Sequence, residues 1–333
     1  MTVKIAINGF GRIGRCVARA LAENLVSDVE LVAINGRGPI ETHYHLLKYD
    51  SIHGRFPGTI ELAEDALILN GKKVPVFRER EPENLPWADL GVDIVFECTG
   101  VFKDSAGAGK HLTAGAKKVL ISAPAKGDEI KTVVYGVNHD ILTAEDQIIS
   151  VGSCTTNCLA PVVKILNDNF GIEKGFVTTI HAYTNDQNTA DASHKDLRRA
   201  RAAGLSMIPT STGAAKAIGK VIPELAGLLD GVAVRVPTPN VSLVDLCFVA
   251  KQSLTVEQVN NAIKTAAAGE FSRVLAYETE ETVSVDYNHS MQSSVFDSTG
   301  TKVLQDNFIR VASWYDNEWA FSIRMLDIAN LLK

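Results

Sequence analysis

The stretch Val3-Lys4-Ile5-Ala6-Ile7-Asn8-Gly9-Phe10-Gly11-Arg12-Ile13-Gly14-Arg15 decides how the first half of this chain folds. Its first five residues alternate towards an apolar strand, with Lys4 as the one charged residue, and residues 16–25 have the apolar spacing of a helix. Between them, Gly9, Gly11 and Gly14 form the pattern G-x-G-x-x-G. Between a strand and a helix, such glycines let backbone N–H groups approach a pyrophosphate. The stretch therefore predicts a dinucleotide-binding turn with Gly9 and Gly11 at its centre.

Apolar runs alternate with helical spacing through the rest of the first 152 residues. We predict strands at 29–34, 93–97, 118–122 and 147–151, with a helix at 106–114. This alternation is typical of an α/β, Rossmann-type doubly wound parallel sheet, which binds ligands at the carboxyl ends of its strands. Residues 1–152 are therefore predicted to be a dinucleotide-binding domain, with Thr99 at one strand end.

The end of the second predicted strand departs from the usual dinucleotide pattern. An acidic residue is expected there, to accept hydrogen bonds from the adenosine ribose, but the chain has Asn35-Gly36-Arg37. Without the carboxylate a 2′-phosphate is not repelled, and the Arg37 guanidinium can pair with it. A tight Asn-Gly turn beside a solvated arginine explains the same residues equally well.

The second half has a different pattern. At 333 residues the chain is long enough for two domains. Period-two strand patterns dominate after residue 170, which favours an α+β domain with a mostly antiparallel sheet. We assign residues 153–318 to this catalytic and phosphate-binding domain. Residues 319–333 are predicted to form an amphipathic helix that packs back on the first domain.

Cys154 and His181 are the strongest candidates for chemistry. A thiol attacks as its thiolate, which a nearby imidazole or a helix N-terminus favours. Residues 158–166 have helical spacing and follow a cluster of Ser, Thr and Asn that can cap a helix, so Cys154 is expected at a helix N-terminus. Most cysteines are simply buried, which is the structural alternative here and also at Cys158, whose other possible role is as a redox partner.

Two further features indicate anionic ligands. Residues 186–204 have weak periodicity, and four cations fall among the seven residues from Lys195 to Arg201. A loop of that length is usually functional, although a solvated basic face is the alternative. Arg235 lies among valines in a predicted strand, where an unpaired charge is costly and a bound phosphate would be a natural partner.

The composition excludes several classes of protein. Apolar content of 46% and charged content of 22% indicate a globular protein. The net charge of −6 gives no reason to expect strong nucleic-acid binding or attraction to a membrane surface. The five cysteines are an odd number without zinc or disulfide spacing, so we expect no metal site. The first residues lack a secretory signal pattern, so a cytoplasmic location is expected.

Eight segments in order resemble one family, phosphorylating glyceraldehyde-3-phosphate dehydrogenase. The resemblance covers almost the whole chain and is more specific than any one motif. The matching segments are INGFGRIGR (7–15), LKYDS (47–51), ECTG (97–100), SCTTN (153–157), HAYT (181–184), STGAAK (211–216), VRVPTP (234–239) and WYDNEW (314–319).

The resemblance implies roles in catalysis and phosphate binding. Cys154 matches the nucleophile and His181 its base. The substrate's own phosphate would be held by Thr184 and Arg235. The attacking inorganic phosphate would be held by Ser153, Thr155, Arg199, Thr212 and Gly213. The implied substrates are glyceraldehyde 3-phosphate and inorganic phosphate, and the reaction serves glycolysis or gluconeogenesis.

The resemblance also implies cofactor contacts and an assembly. Arg12 and Ile13 match the pyrophosphate-binding turn, and Arg80 and Ser122 match the adenine side and neighbouring contacts. Asn317 matches the residue that binds the nicotinamide carboxamide. The family is typically homotetrameric, with the loop around Arg199 beside a subunit contact and the cofactor.

The chain departs from the family pattern in three places. Gly36 replaces the usual acidic residue. NAD-specific members usually have Leu-Pro where this chain has Ala192-Ser193, and in this segment the chain resembles photosynthetic relatives that use NADP. Both changes favour NADP as cofactor, alone or together with NAD. We therefore count Ser193 among the expected cofactor contacts. Ala320 replaces a usual glycine, with an expected effect on packing only.

Two alternative functions stay open at this point. Erythrose-4-phosphate dehydrogenase looks similar, but it tends to lose the Thr184 and Thr212-Gly213 pattern that is intact here. A pure binding role, to RNA or a protein partner, is the rival from another class, and the complete catalytic set argues against it.

Overall fold

The computed structural model describes residues 2–333, which divide into two compact units. Unit 1 runs to Tyr135 and includes His139–Ser153 and Phe321–Lys333. Unit 2 contains Gly136–Asn138 and Cys154–Ala320.

The strands of unit 1 build one large sheet and a small hairpin. They are β1 (Val3–Asn8), β2 (Val29–Asn35), β3 (Tyr49–Asp50), β4 (Gly54–Arg55), β5 (Ile60–Leu62), β6 (Ala66–Leu69), β7 (Lys72–Phe77), β8 (Ile94–Glu97), β9 (Lys118–Ile121), β10 (Lys131–Thr132) and β11 (Ile148–Ser150). The nine-stranded sheet has the order β10-β11-β9-β8-β1-β2-β7-β6-β5, while β3 and β4 pair with each other.

The large sheet is parallel from β10 to β7 and antiparallel at its β6 and β5 end. Its central strands are buried on both faces, because helices cover both sides of such a sheet. The predicted Rossmann-type parallel sheet is therefore confirmed. The β5–β7 segment was not predicted, since its strands are short and partly exposed.

Four helices of unit 1 are α1 (Arg12–Ala22), α2 (Ile40–Lys48), α3 (Trp87–Leu90) and α4 (Ser105–Thr113). The first begins four residues earlier than the predicted start at residue 16, with Gly11 as its N-cap. The glycine turn is thus immediately joined to the first helical turn. That arrangement leaves the backbone N–H groups of the first turn available to an anion.

Unit 2 contains the second sheet. Its strands are β12 (Ile172–Ala182), β13 (Ile208–Ser211), β14 (Leu229–Val236), β15 (Ser242–Ala250), β16 (Leu275–Glu278), β17 (Ser294–Leu304) and β18 (Phe308–Tyr315). The order is β13-β14-β12-β15-β18-β17-β16. Four neighbouring pairs are antiparallel, and the pairs β12–β14 and β16–β17 are parallel. The predicted mostly antiparallel sheet is confirmed.

The helices of unit 2 are α5 (Cys154–Phe170), α6 (Ala214–Val221) and α7 (Val256–Ala268). A capping box starts α7: the Thr255 side chain accepts from the Gln258 N–H, and the Gln258 side chain accepts from the Thr255 N–H. Residues 186–202 form no helix or strand, in agreement with the predicted loop.

The final helix, α8 (Trp319–Leu331), corrects one prediction. It is buried on all sides from Trp319 to Ala329 rather than amphipathic. Its charges alternate with apolar residues in a way that suggested a solvent face. The structure instead pairs Arg324 with Asp327 at 2.8 Å inside the protein, which makes burial of both charges tolerable.

Candidate active site

Two neighbouring parallel strands bring His181 and Arg235 together. In the β12–β14 pair, His181 lies directly opposite Arg235. Residues at the same register of adjacent strands project from the same face, so the two side chains meet. The Arg235 Nη1 atom lies 2.7 Å from His181 Nδ1 and donates to the Ala182 carbonyl at 3.0 Å.

Cys154 is the first residue of α5, a helix of 17 residues. Its Sγ atom lies 3.5 Å from His181 Nε2, within the range of a hydrogen bond to sulfur. The N-terminal end of a helix carries partial positive charge, which favours an anion such as a thiolate. The sequence therefore predicted correctly that Cys154 starts a helix, and the structure brings the predicted pair into contact.

The other imidazole nitrogen of His181 has two polar neighbours. Nδ1 lies 2.7 Å from the Ala182 carbonyl oxygen as well as from Arg235. A guanidinium only donates hydrogen bonds, so Arg235 cannot form one with Nδ1 when Nδ1 already carries a proton. When Nδ1–H donates to the Ala182 carbonyl, Nε2 is left with a lone pair directed at Cys154, which is the form that a general base requires.

Burial governs the protonation of the pair. Desolvation, aided by the Arg235 charge, lowers the pKa of His181 from 6.5 to about 3. Desolvation also raises the pKa of the Cys154 thiol, and the Arg235 charge opposes that rise. The imidazole is accordingly neutral near pH 7, and Arg235 is the cation that acts on both partners.

Tyr315 was not predicted from the sequence as a site residue. Its hydroxyl lies 2.8 Å from the Thr155 hydroxyl and 2.8 Å from the Thr179 hydroxyl. Its ring also meets the His181 imidazole edge to face, with centroids 5.9 Å apart. Tyr315 thus joins the first turn of α5 to the strand that carries His181.

The loop before β13 supplies another cation. Arg199 donates from Nε to the Thr210 hydroxyl at 2.8 Å, and its guanidinium pairs with Asp186. Asp196 also lies 3.4 Å from Arg199 Nε. The charges of Arg199 and Asp186 both influence the pKa of Arg235, so these groups belong to the same electrostatic neighbourhood.

The other residues predicted to bind phosphate lie at the ends of nearby elements. The Thr184 backbone N–H donates to Gln187 Oε1 at 2.9 Å, just after β12. Thr212 accepts from the Ala214 N–H at 3.2 Å, and Gly213 is the N-cap of α6. Ser153 immediately precedes α5 and is partly exposed.

Asn317 is held by a neighbour that the sequence did not indicate. The Ser242 hydroxyl donates to Asn317 Oδ1 at 2.8 Å and accepts from the Ala182 N–H at 3.0 Å. Because the amide oxygen is engaged, the amide nitrogen of Asn317 is the group left to bind a ligand. Ser242 therefore fixes the orientation of this side chain.

Cys158 is fully buried, with Sγ 3.5 Å from the Ser294 hydroxyl. Burial raises its pKa to about 12. A thiol in that state is a poor nucleophile, so the buried alternative describes Cys158 better than a redox role.

Unit 1 contains a cavity of about 550 Å³ at the carboxyl ends of its central strands. It is lined by both turns that the sequence singled out, together with the ends of β7 and β8. The lining residues are Asn8, Gly9, Phe10, Gly11, Asn35, Gly36, Arg37, His43, Glu79, Arg80, Cys98, Thr99, Val101 and Phe102.

In the glycine turn, backbone segments pack so closely that two of the glycines have no room for a side chain. Gly9 has φ of +101°, and a Cβ there would lie 2.7 Å from the Cys98 carbonyl carbon and the Thr99 nitrogen. A Cβ on Gly14 would lie 2.5 Å from the Gly9 oxygen. A side chain at either position would displace the turn from the helix N-terminus. These residues therefore fit a dinucleotide pyrophosphate.

Arg12, at the start of α1, has its side chain engaged elsewhere. Its Nη1 and Nη2 atoms donate to the two oxygens of Asp50 at 2.5 and 3.1 Å. Asp50 also accepts from two backbone N–H groups. Burial alone would raise the pKa of this carboxyl. The hydrogen bonds from Arg12 and from the two N–H groups outweigh burial and hold the pKa well below its usual range. Arg12 and Ile13 would therefore meet a pyrophosphate through their backbone N–H groups.

A buried polar network supports the strand ends around the cavity. Asn35 donates to Asn8 Oδ1 at 2.7 Å, and Asn8 donates to Glu97 Oε2 at 2.5 Å. The Thr99 N–H donates to Glu97 Oε1 at 2.8 Å, and the Ser122 N–H donates to the Glu97 carbonyl at 3.0 Å. Thr99 and Ser122, both predicted cofactor contacts, are thus held by Glu97, the first through its carboxylate and the second through its backbone carbonyl.

The positions predicted to contact the adenosine ribose belong to different units. Gly36 and Arg37 line the cavity of unit 1, with Gly36 buried and Arg37 exposed. Ser193 is exposed in the loop of unit 2. His43 also lines the cavity, and no sequence pattern pointed to it because it is brought there by the packing of α2.

Membrane insertion through a helix finds no support: among residues 2–333, none of the helices combines the length and the apolar character needed to cross a bilayer.

Comparison with known proteins gives matches over nearly the entire chain. Residues 3–105 match the family model of the glyceraldehyde 3-phosphate dehydrogenase NAD binding domain, and residues 153–317 match that of its C-terminal domain. The chain is 57% identical to a glyceraldehyde-3-phosphate dehydrogenase of Xanthobacter flavus over 99% of this chain and 98% of that protein. It is 57% identical to that of Cereibacter sphaeroides and 54% identical to that of Geobacillus stearothermophilus, with the same coverage.

Proposed function

The chain belongs to the glyceraldehyde-3-phosphate dehydrogenase family, and from this we propose that it oxidises and phosphorylates D-glyceraldehyde 3-phosphate to 1,3-bisphosphoglycerate. The observation that carries the proposal is the contact of 3.5 Å between Cys154 Sγ and His181 Nε2 at the N-terminus of α5. An aldehyde bound at this thiol would meet a nucleophile at the start of α5, and a base and a cation on the neighbouring strands β12 and β14.

The reaction begins with Cys154. His181 Nε2 takes the thiol proton, and the thiolate attacks the aldehyde carbon as the carbonyl π bond breaks. The resulting oxyanion takes that proton back from Nε2, which gives a thiohemiacetal and a neutral imidazole. The helix N-terminus and the Arg235 charge stabilise the thiolate, which offsets the burial that raises the thiol pKa. The backbone N–H of Cys154 and the imidazole would stabilise the oxyanion.

His181 then acts as the general base. Its Nε2 atom takes the hydroxyl proton of the thiohemiacetal, which promotes loss of hydride from the same carbon. Bound NAD or NADP supplies the hydride acceptor. The product on the protein is a Cys154 thioester, and the proton rests on His181.

The phosphate groups are assigned to two subsites. Thr184 and Arg235 would hold the substrate's own phosphate. That anion would neutralise the cation beside Nδ1 and raise the basicity of His181 when substrate is bound. The buried Nε of Arg235 has no protein partner, which also supports a ligand there.

Inorganic phosphate would complete the reaction. One of its oxygens attacks the thioester carbon, the C–S bond breaks, and the thiolate leaves. We assign its binding to residues on α5, the 186–204 loop and the start of α6, namely Ser153, Thr155, Arg199, Thr212 and Gly213. The Thr155 hydroxyl is engaged by Tyr315, so its backbone N–H is the group offered to phosphate.

For the cofactor we propose NADP and NAD, with NADP favoured at Gly36. Gly9, Gly11, Arg12 and Ile13 would hold the pyrophosphate. The adenosine end and neighbouring groups would contact Arg37, Arg80, Thr99, Ser122 and Ser193. The Asn317 amide would bind the nicotinamide carboxamide.

We also propose a homotetramer in the cytoplasm, serving glycolysis or gluconeogenesis. Support for assembly comes from three apolar residues, Leu197, Leu205 and Met207, which are 82%, 88% and 75% exposed. A subunit contact formed by this segment would cover them. Light scattering coupled to size-exclusion chromatography tests the tetramer. The free thiols are consistent with a reducing compartment.

Steady-state kinetics tests the activity. Glyceraldehyde 3-phosphate with phosphate should give reduced cofactor, and Cys154→Ser should abolish it. Erythrose 4-phosphate is the discriminating substrate. A higher kcat/KM with erythrose 4-phosphate would replace the proposal with erythrose-4-phosphate dehydrogenase.

A further inference from the structure

A histidine fills the space that an acidic ribose-binding residue would need. Gly36 follows β2, where such a residue usually stands. A Cβ at Gly36 would lie 2.5 Å from His43 Nε2, 2.9 Å from His43 Cε1 and 3.3 Å from Phe10 Cβ. Contacts this short require one of the groups to move, so a side chain at position 36 would displace the imidazole from its present position.

The imidazole of His43 is firmly held. It projects from α2, it is 7% exposed, and it meets the Phe10 ring edge to face with centroids 5.6 Å apart. A Cβ at Gly38 would lie 3.3 Å from its Cε1. The position of His43 therefore depends on glycine at 36 and on the aromatic residue of the glycine turn.

The Nε2 atom of His43 has no aligned hydrogen-bond partner, although the Gly36 backbone is near enough to raise the pKa of the imidazole. A buried polar nitrogen without a partner costs free energy. Since His43 lines the cavity, a ligand group is the partner that the structure leaves open.

The surrounding charges favour an anion. Desolvation is the largest influence on the pKa of His43 and lowers it, and the charges of Arg15 and Arg78 lower it further. Arg37 and Arg80 line the same cavity. The nearby Glu79 carboxylate is engaged, because its Oε1 accepts from the Arg80 N–H at 2.6 Å and the Glu81 N–H at 3.0 Å.

We propose that His43 recognises the 2′-phosphate of NADP, donating from Nε2, and that Gly36 is required because it makes room for the imidazole. The inference rests on the proposed function. Gly36 and His43 thus act as one specificity-determining pair, in which histidine replaces the carboxylate that would bind a ribose hydroxyl.

The test is cofactor affinity, measured by titration calorimetry with NADP and with NAD. His43→Ala should weaken NADP binding by about tenfold or more, because a hydrogen bond to a charged group is lost, and should change NAD binding by less than about threefold. His43→Gln keeps an N–H donor and should lose less. His45→Gln, an exposed position on the same helix, is the matched control and should change neither affinity.

A double-variant cycle tests the pairing. Gly36→Asp alone should weaken both cofactors, because the carboxylate collides with His43. Gly36→Asp with His43→Ala should bind NAD more tightly than Gly36→Asp alone. Equal NAD affinity for these two variants would overturn the pairing, and thermal melts exclude unfolded variants.

The two possible failures are separable. NADP affinity unchanged in His43→Ala would overturn the role of His43 while leaving the proposed enzyme intact. Wild-type protein that oxidises glyceraldehyde 3-phosphate with neither cofactor would refute the proposed function itself. Wild-type protein active with NAD that does not bind NADP would refute both the NADP proposal and the recognition by His43.

Discussion

Replacing His181 with Asn should reduce the loss of folding stability that occurs as the pH falls below about 6.5. His181 is 4% exposed, and its pKa is lowered from 6.5 to about 3, first by desolvation and then by the charge of Arg235. Below pH 6.5 the unfolded chain gains a proton at this residue that the folded chain does not take up. The stability is therefore fully present above about pH 6.5 and falls as the pH falls towards about 3.

The magnitude follows from a difference of one proton. It amounts to roughly 1 to 2 kcal/mol per pH unit, or about 3 kcal/mol over about two pH units. Between about pH 6 and about pH 4, His181→Asn should therefore gain about 3 kcal/mol in free energy of unfolding relative to wild type. Asn is similar in size and does not titrate, so contributions from other groups cancel in the comparison.

The assay is urea unfolding followed by circular dichroism at several pH values, with a fixed protein concentration because assembly affects apparent stability. His45→Asn, at an exposed position, is the control and should parallel wild type. The reasoning is refuted if the difference between His181→Asn and wild type is the same at about pH 6 and about pH 4.

Three other substitutions probe the cofactor side. Asp50→Asn breaks the bidentate pair with Arg12 and should lower the free energy of unfolding by about 3 kcal/mol at neutral pH in urea titrations; an unchanged midpoint would count against this pair. Ser242→Ala frees the Asn317 amide and should raise the KM for cofactor about fivefold, with unchanged thermal stability of the cofactor-free protein as the sign that orientation is responsible. Gly9→Ala collides with the backbone and should abolish cofactor binding in calorimetry, and near-normal binding would contradict the close-approach argument.

Local patterns were enough to predict much of the fold. The strands β1, β2, β8 and β9 are rich in apolar residues, and the glycines of the turn stand at the fixed spacing that its backbone requires. Cys154 could be placed at a helix start because capping residues are themselves local. These features depend on neighbours in sequence, which is why a single chain reveals them.

Other features depend on contacts between distant residues. Tyr315 reaches Thr155 and Thr179 from a different strand, and α2 carries His43 under Gly36. Helix α8 looked amphipathic because its pairing of Arg324 with Asp327 is visible only when the helix is packed. Burial and side-chain partners of this kind are set by tertiary structure, so no sequence period signals them.

The claim that Cys154 forms a thioester is tested most directly by peptide mass mapping after one turnover without phosphate. Protein mixed with glyceraldehyde 3-phosphate and NAD or NADP should carry a 3-phosphoglyceroyl group on the peptide that contains Cys154, and added phosphate should remove it. The account is contradicted if the acyl group is found on another residue, or if Cys154→Ser still forms it.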